Sequence, residues 1–463
     1  MRTISSIRRE GQVHQPRLAA GPRGLPLLGN LIDVQKDYLG FMTRVARQYG
    51  EVASYRLGNL SLYQVNSPQG IQHILQDKHH NYIKGDYWDS LRQFAGNGLI
   101  VSEGSFWLRQ RRLMQPVFHR QRIHQYQEII SNASNTLVDR WCFIAASRQP
   151  VDINRELTHL TMEIVTSALF STQVSDEGNE ISEDITTVLD HANYLFATPF
   201  YPSLAVPTPR NRRARRAIER IDEIIYKIIA ERRRSDTQSN DLLSLLMEAR
   251  DTENGEGMSD RQLHDEVLTI FIAGHETTAV ALTWCLYLLS QHPDVEKRLR
   301  CELESVLGGR APTIDDLPAL SYTRQVLDET LRLYPPAWAS NRSTLADDEL
   351  CGYFIPANSV VVFSPYVIHH DPRLWDKPET FDPERFAAER TVERHRFAYF
   401  PFGGGPHQCI GMSFALVEAQ LVLAAIIQRY RMELIPGYTA ELKPSITLHP
   451  KGGMPMVLHA VMD

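Results

Sequence analysis

The chain has 463 residues, 43% hydrophobic and 22% charged, the balance of a globular protein whose core can enclose a sizeable cofactor. A formal net charge of −6 excludes a general attraction for nucleic acid. The five cysteines (Cys142, Cys285, Cys301, Cys351, Cys409) are scattered and odd in number, which excludes a secreted disulfide framework and points to a reducing, cytoplasmic setting.

Residues 1–20 read as a polar, disordered arm without the apolar core of a signal peptide, and 21–463 as one domain. Residues 38–49 have helical spacing that Gly50 stops, 52–65 alternate as a strand pair, and 69–78 form a short helix. The stretch 81–102 has no clear period but is rich in Tyr, Trp, Leu and Phe, so it is expected to cover something. Residues 107–112 open a helix on which Trp107 and Arg111, four apart, share a face. Such a pair grips a carboxylate, or is a surface Arg lying over an indole. Helices follow at 152–170 and 181–196, then a connection over 197–209 expected to be mobile. Residues 210–234 make a helix with an isoleucine stripe and a basic, solvated face, and 236–240 and 251–257 are loops.

Residues 259–291 predict one helix of about nine turns, since about 3.6 residues make a turn. Ser259 is its expected N-cap. Apolar residues surround it, so it should cross the centre of the protein. The segment 267–289 stops short of an uninterrupted apolar span because Ala273-Gly274-His275-Glu276-Thr277-Thr278 interrupts it, and no transmembrane anchor is expected. A glycine, an acid and two threonines inside a buried helix form a local conflict kept for a reason. A Thr hydroxyl or a water bonded to the Ala273 carbonyl would open the helix there. His275 points off that face and receives no role.

Helices at 295–307 and 323–333 come next, the second carrying Glu329 and Arg332 on one face until Pro335-Pro336 ends it. Short strands are predicted at 339–343, 351–355 and 360–363, and Phe381 to Phe386 forms a turn containing Arg385. The most telling stretch is Phe402-Gly403-Gly404-Gly405-Pro406-His407-Gln408-Cys409-Ile410-Gly411, ahead of an apolar helix at 413–430. Consecutive glycines demand a tight bend or a close approach. A lone cysteine at a helix start presents one soft thiolate to one metal or substrate, or is a buried structural thiol.

Taken in order, these motifs resemble the cytochrome P450 family of haem-thiolate enzymes. Phe402, Gly403, Gly405, His407, Cys409 and Gly411 match the ligand loop, with His407 where Arg is usual; Glu329, Arg332 and Arg385 match a buried ion-pair network. Ala273, Gly274, Glu276 and Thr277 match the oxygen-activating helix, and Trp107, Arg111 and Arg342 match propionate-binding positions. The resemblance implies a mainly α fold with small β-sheets, haem b lying between the long central helix and the Cys-loop helix, and Cys409 as axial thiolate. It implies Thr277 as the hydrogen-bonding hydroxyl on the oxygen side and Glu276 as its link to bulk protons. Ala273 and Gly274 would leave room over the haem, Phe402 would cover its thiolate side, and Trp107, Arg111, Arg342 and His407 would offset its propionates. By family position the substrate pocket would contain Trp88, Phe94, Leu99, Ile100, Leu268, Ile272, Ala337, Trp338, Ala339 and Ile446, which implies a hydrophobic substrate such as a terpenoid, fatty acid or polyketide-like molecule.

The reaction expected is insertion of one oxygen atom from dioxygen. The alternatives are a haem-thiolate isomerase, dehydratase or peroxygenase, and a non-catalytic haem sensor or carrier. The acid–Thr pair favours the first. With no dinucleotide fingerprint in the chain, electrons are expected from a separate ferredoxin or flavodoxin and its reductase, docking near Arg109, Arg112, Arg120 and Arg122.

Overall fold

The computed structural model describes residues 17–85, 88–170, 176–197, 203–234 and 241–461. The expected mobility of 197–209 falls partly, and the loop 236–240 wholly, outside them. Residues 17–20, expected in the disordered arm, instead join the fold. The Arg17 amide donates to the Gly352 carbonyl, and Ser54 donates through its amide to Ala20 O and through its hydroxyl to Ala19 O.

Helices dominate. One runs from Tyr38 to Tyr49 and is ended by Gly50 at φ 81°. The expected strand pair is Val52–Leu57 against Leu60–Val65, on the edge of a five-stranded sheet. The sheet continues with Val360–Phe363, Ser340–Thr344 and Tyr82–Ile83. A three-stranded sheet joins Val151–Asp152, Pro455–Ala460 and Tyr430–Leu434, and two hairpins complete the β structure. The aperiodic stretch after Tyr82 contains a short helix, Asp89–Ala95, and a 21-residue helix, Gln127–Ser147, follows where no element was expected.

The central helix spans Asp260–Gln291 and starts from a capping box in which Ser259 and Gln262 satisfy each other's backbone amides. Its first half, through Leu263, Val267, Leu268 and Phe271, belongs to one hydrophobic core. Its second half, from Ala279 through Leu289, belongs to another. The segment from Ala273 to Thr278 lies at the junction. This helix and Met412–Arg429 are apolar and long enough to cross a membrane by composition, but 78% and 61% of their most apolar windows are buried inside the protein.

The helix is unbroken through the motif, and the Thr277 hydroxyl donates to Ala273 O at 2.8 Å. Gly274 also has a packing role. A Cβ there would meet Val165 Cγ2 at 3.2 Å, so the missing side chain lets the helix Ile153–Phe170 pack close. His275 lies in that same contact. It is buried, its Nδ1 sits 2.7 Å from Phe271 O, and its own carbonyl accepts from the Thr161 hydroxyl at 2.9 Å.

Candidate active site

The loop from Phe402 to Gly411 is a closed turn. The Cys409 amide donates to Phe402 O at 3.0 Å and the Gln408 amide to Gly405 O at 3.1 Å. Gly403 and Gly405 both have left-handed φ, 68° and 65°. At Gly405 a Cβ would also collide with the Leu75 carbonyl, so only glycine lets the loop settle on that segment. Cys409 keeps accessible surface although protein surrounds its thiol, as a group lining an internal cleft does. Burial pushes the thiol up, while the amides of Gly411 and Met412 and the Arg111 guanidinium favour its anion. Phe402 and Met412 pack on the small cluster of Ala281, Leu331 and Leu416 beside the loop.

A dense group of cations adjoins this loop. Trp107 stacks on His407 with ring centroids 3.9 Å apart, and Arg111 Nη1 donates to Gln408 O at 2.9 Å. Arg342 is buried, held by Asn341 O, and lowered to about 10 by desolvation. Burial and then the charges of Lys84 and Arg342 lower His407 to about 3, which favours a neutral, hydrogen-bonding imidazole. Its Nδ1 is buried without a partner. Lys84 is lowered to about 7, by burial and then by repulsion from Arg342. Against this set stands Glu103, 3.9 Å from His407 Nε2. An excess of buried cations with an orphaned ring nitrogen beside a thiol fits a dianionic, metal-centred ligand such as haem with its two propionates.

The buried ion-pair network is present. Arg332 grips Glu329 through two bonds of 2.6 and 2.8 Å, and Arg385 Nε reaches Glu329 Oε1 at 3.3 Å. The second Arg332 role is to bind the carbonyls of His369, Pro378 and Thr380 at 2.8, 2.7 and 3.1 Å, which pins the segment 369–380. Glu276 sits on the central helix with Oε1 2.6 Å from His449 Nε2.

The predicted pocket residues divide. Phe94, Leu99 and Leu268 share one buried core, with Ile272 and Ile446 packed against it. Trp88 lies beside Lys84, its ammonium 5.9 Å from the indole centroid. Ile100 is half-buried and Ala337 exposed. Trp338 belongs elsewhere. Its indole donates to Ser445 O at 2.8 Å and meets Tyr38 edge-on, in the core under the five-stranded sheet, with Ala339 packed on the same cluster. The docking arginines also differ from expectation. Arg109 donates to Gly257 O and Arg112 binds Asp251 and Glu253, so an acidic loop neutralises both. The Arg120 side chain lies outside the described residues, and Arg122 is exposed.

Four groups escaped the sequence reading. Lys84 sits between Ile83 and Gly85 in an apolar stretch, a buried-cation signal that was available. His449 lies in a three-residue strand, Leu448–Pro450, and has no local signal. Glu266 accepts from the Leu99 amide and the Gln110 side chain, each at 3.0 Å, and so ties the apolar loop to the central helix. Glu418, buried in the helix Met412–Arg429, is raised to about 8 by desolvation, opposed by a hydrogen bond with Thr278.

Known proteins resemble this chain in sequence and fold. The family described as Cytochrome P450 matches residues 19–456. "Cyclooctatin synthase" of Streptomyces melanosporofaciens is 38% identical over 93% of this chain and 94% of its own. "Cyclooctat-9-en-7-ol 5-monooxygenase" of the same organism is 38% identical over 90% of each. "Pentalenene oxygenase" of Streptomyces avermitilis is 35% identical over 93% and 95%. The crystal structure of the cytochrome P450DA heme domain superposes with a TM-score of 0.87 at 25% identity, covering 97% of this chain and 98% of that one.

Proposed function

The chain belongs to the cytochrome P450 family, it is an oxygenase whose cofactor is haem b, and from that premise we propose that it is a terpenoid monooxygenase with Cys409 as its iron ligand. The carrying observation is the Cys409 thiol, bonded by two backbone amides beside Arg111 and a cluster of buried cations. Haem held through one thiolate supplies dioxygen activation, with one oxygen atom inserted into a C–H bond or alkene and the other released as water.

The chain's own groups do the remaining work. The closed glycine loop fixes the Cys409 sulfur, and the amides of Gly411 and Met412 temper its basicity. Arg111, Arg342, Lys84, Trp107 and His407 would hold the propionates, the first three by charge and the last two by ring N–H donors. Ala273 would leave the oxygen side clear. Thr277 donates to Ala273 O and would turn its hydroxyl to the reacting oxygen or a water beside it. Glu276 would renew the protons consumed there, since release of water needs two. Phe94, Leu99, Leu268, Ile272 and Ile446 offer an uncharged apolar wall, which suits a terpenoid better than a free carboxylate. The three Streptomyces relatives act on molecules of that class.

Electrons would come from a ferredoxin or flavodoxin with its reductase, in a cytoplasmic setting. Among the described side chains of the predicted docking group, Arg122 lies exposed. A spectral screen of the ferric holoenzyme tests the substrate class: cyclic terpenes and their alcohols should displace the iron-bound water at micromolar concentration. A response to fatty acids with none to terpenes would refute it.

A further inference from the structure

We propose that His449 is the positioning and proton-feeding partner of Glu276, receiving protons from solvent and passing them through Nε2 to Oε1. The inference rests on the reading of Glu276 and Thr277 as the proton-delivery pair and adds where their protons come from.

Glu276 is the more enclosed partner, its side chain 9% exposed, and a carboxyl that gives up a proton each cycle must recover one from outside. His449 is its hydrogen-bond partner at 2.6 Å, and at 19% exposure the imidazole reaches toward solvent. Its place is fixed from both sides through the preceding residue. Leu448 N donates to Pro336 O at 3.1 Å, and the Trp284 indole, on the central helix itself, donates to Leu448 O at 2.8 Å. The strand carrying His449 is therefore bolted to the same helix that carries Glu276, two turns away. A side chain needed only to fill space would not require that register.

The titratable groups around the pair come from each neighbouring element. His275, on the central helix, is kept neutral by burial, with its Nδ1 turned to Phe271 O. Lys443 lies opposite His449 in the hairpin register, and cross-strand neighbours share a face. Lys451, two residues on, is paired with Glu441 at 2.7 Å and is locally neutral. Glu276 is thus the acid bonded to His449, and Lys443 is the cation across the hairpin from it.

The step balances in protons alone. The Glu276 carboxylic acid gives its proton toward Thr277 and becomes a carboxylate. The His449 imidazolium transfers its Nε2 proton to Oε1, and the neutral imidazole takes a proton from water. One proton enters for each delivered, and no electron moves. When the feed fails, dioxygen leaves half-reduced as hydrogen peroxide rather than as water.

The test uses the holoenzyme turning over with NADPH, a plant-type ferredoxin and its reductase, without added organic substrate. It measures peroxide released per NADPH consumed across about pH 5–8, where imidazoles titrate. The wild type should release little peroxide at the acid end and progressively more as pH rises. His449→Gln should release several-fold more at the acid end and lose the pH dependence. His449→Lys, which keeps a protonated donor, should stay low across the range. Independently, the pH response of the ring 15N shifts of His449, assigned with His449→Gln, should differ between wild type and Glu276→Gln, because the carboxylate bonded to Nε2 is gone. An unchanged His449 titration in Glu276→Gln, or a His449→Gln pH profile equal to wild type, overturns the proposal. If Thr277→Ala also leaves the peroxide ratio unchanged, the underlying reading of the pair falls with it. If Thr277→Ala raises peroxide while both His449 variants behave as wild type, the relay alone is wrong.

Discussion

Replacing Arg332 with Met should be far more damaging than replacing Glu329 with Gln, although both break the same ion pair. Glu329 and Arg332 are both fully buried. Removing one member of such a pair leaves the other's charge stranded and costs about 3–5 kcal/mol. Glu329→Gln incurs that cost but keeps an acceptor for Arg332 and for the Asp382 amide, now 3.0 Å from Glu329 Oε1. Arg332→Met also strips the carbonyls of His369, Pro378 and Thr380 of the guanidinium that binds them at 2.7–3.1 Å. At about 1 kcal/mol or more for each buried acceptor, the total reaches about 6–8 kcal/mol, a large part of the 5–15 kcal/mol that holds a typical domain. The assay is haem per polypeptide after purification, together with the urea midpoint of the holoprotein. Glu329→Gln should fold with a lowered midpoint and reduced haem, and Arg332→Met should yield little soluble haem protein. Equal haem content and equal midpoints for the two variants would refute the carbonyl-anchoring argument.

Two other changes test the loop and the helix behind it. Gly405→Ala should lose haem, because its left-handed φ of 65° and the Leu75 carbonyl leave no place for a methyl group, whereas Gly403→Ala, at φ 68° with open space around it, should cost only about 1–2 kcal/mol and keep its haem; the Soret-to-protein absorbance ratio reads both. Glu418→Gln should flatten the pH dependence of stability. The native Glu418 holds its proton up to about 8 while the unfolded chain releases it near 4.5, so the native state binds more protons between those values and wild-type stability falls as pH rises through that window. Urea midpoints at pH 5 and pH 8 should converge in the variant, and an unchanged difference would show that Glu418 is not the group responsible.

Where the sequence was legible, the determinants were local. The central helix could be bounded at Ser259 because a capping box is written in four consecutive residues, and its burial because apolar residues surround it. The Glu329–Arg332 contact follows from helical spacing, and the Trp107–Arg111 face likewise. Where it failed, a distant segment decided. The packing of Gly274 against Val165, over a hundred residues away, has no local signal. Arg109 and Arg112 look like a free basic face until the acidic loop containing Asp251 and Glu253 folds onto them. Trp338 follows Pro335-Pro336, and no pattern of spacing says which way a chain leaves such a turn; Ser445 O and Tyr38 decide it.

The same distinction explains the electrostatics of the candidate site. Lys84, Arg111, Arg342 and His407 come from four separate segments, and each is lowered by desolvation before any neighbour acts on it. Among the first causes after burial are the other members of the group, for Lys84 the repulsion of Arg342 and for His407 that of Lys84. Such a cluster opposes folding of the bare polypeptide, because charges that were apart in the unfolded chain are brought together in low dielectric. A bound dianion adds an attraction to each cation that offsets those costs. Ligand affinity and folding stability are then linked, since whatever binds the native state alone stabilises it in proportion to that binding. His407 adds to this scheme a hydrogen-bonding nitrogen and a stacking surface for Trp107, and before any anion is bound the cations Lys84 and Arg342 oppose a further charge on it.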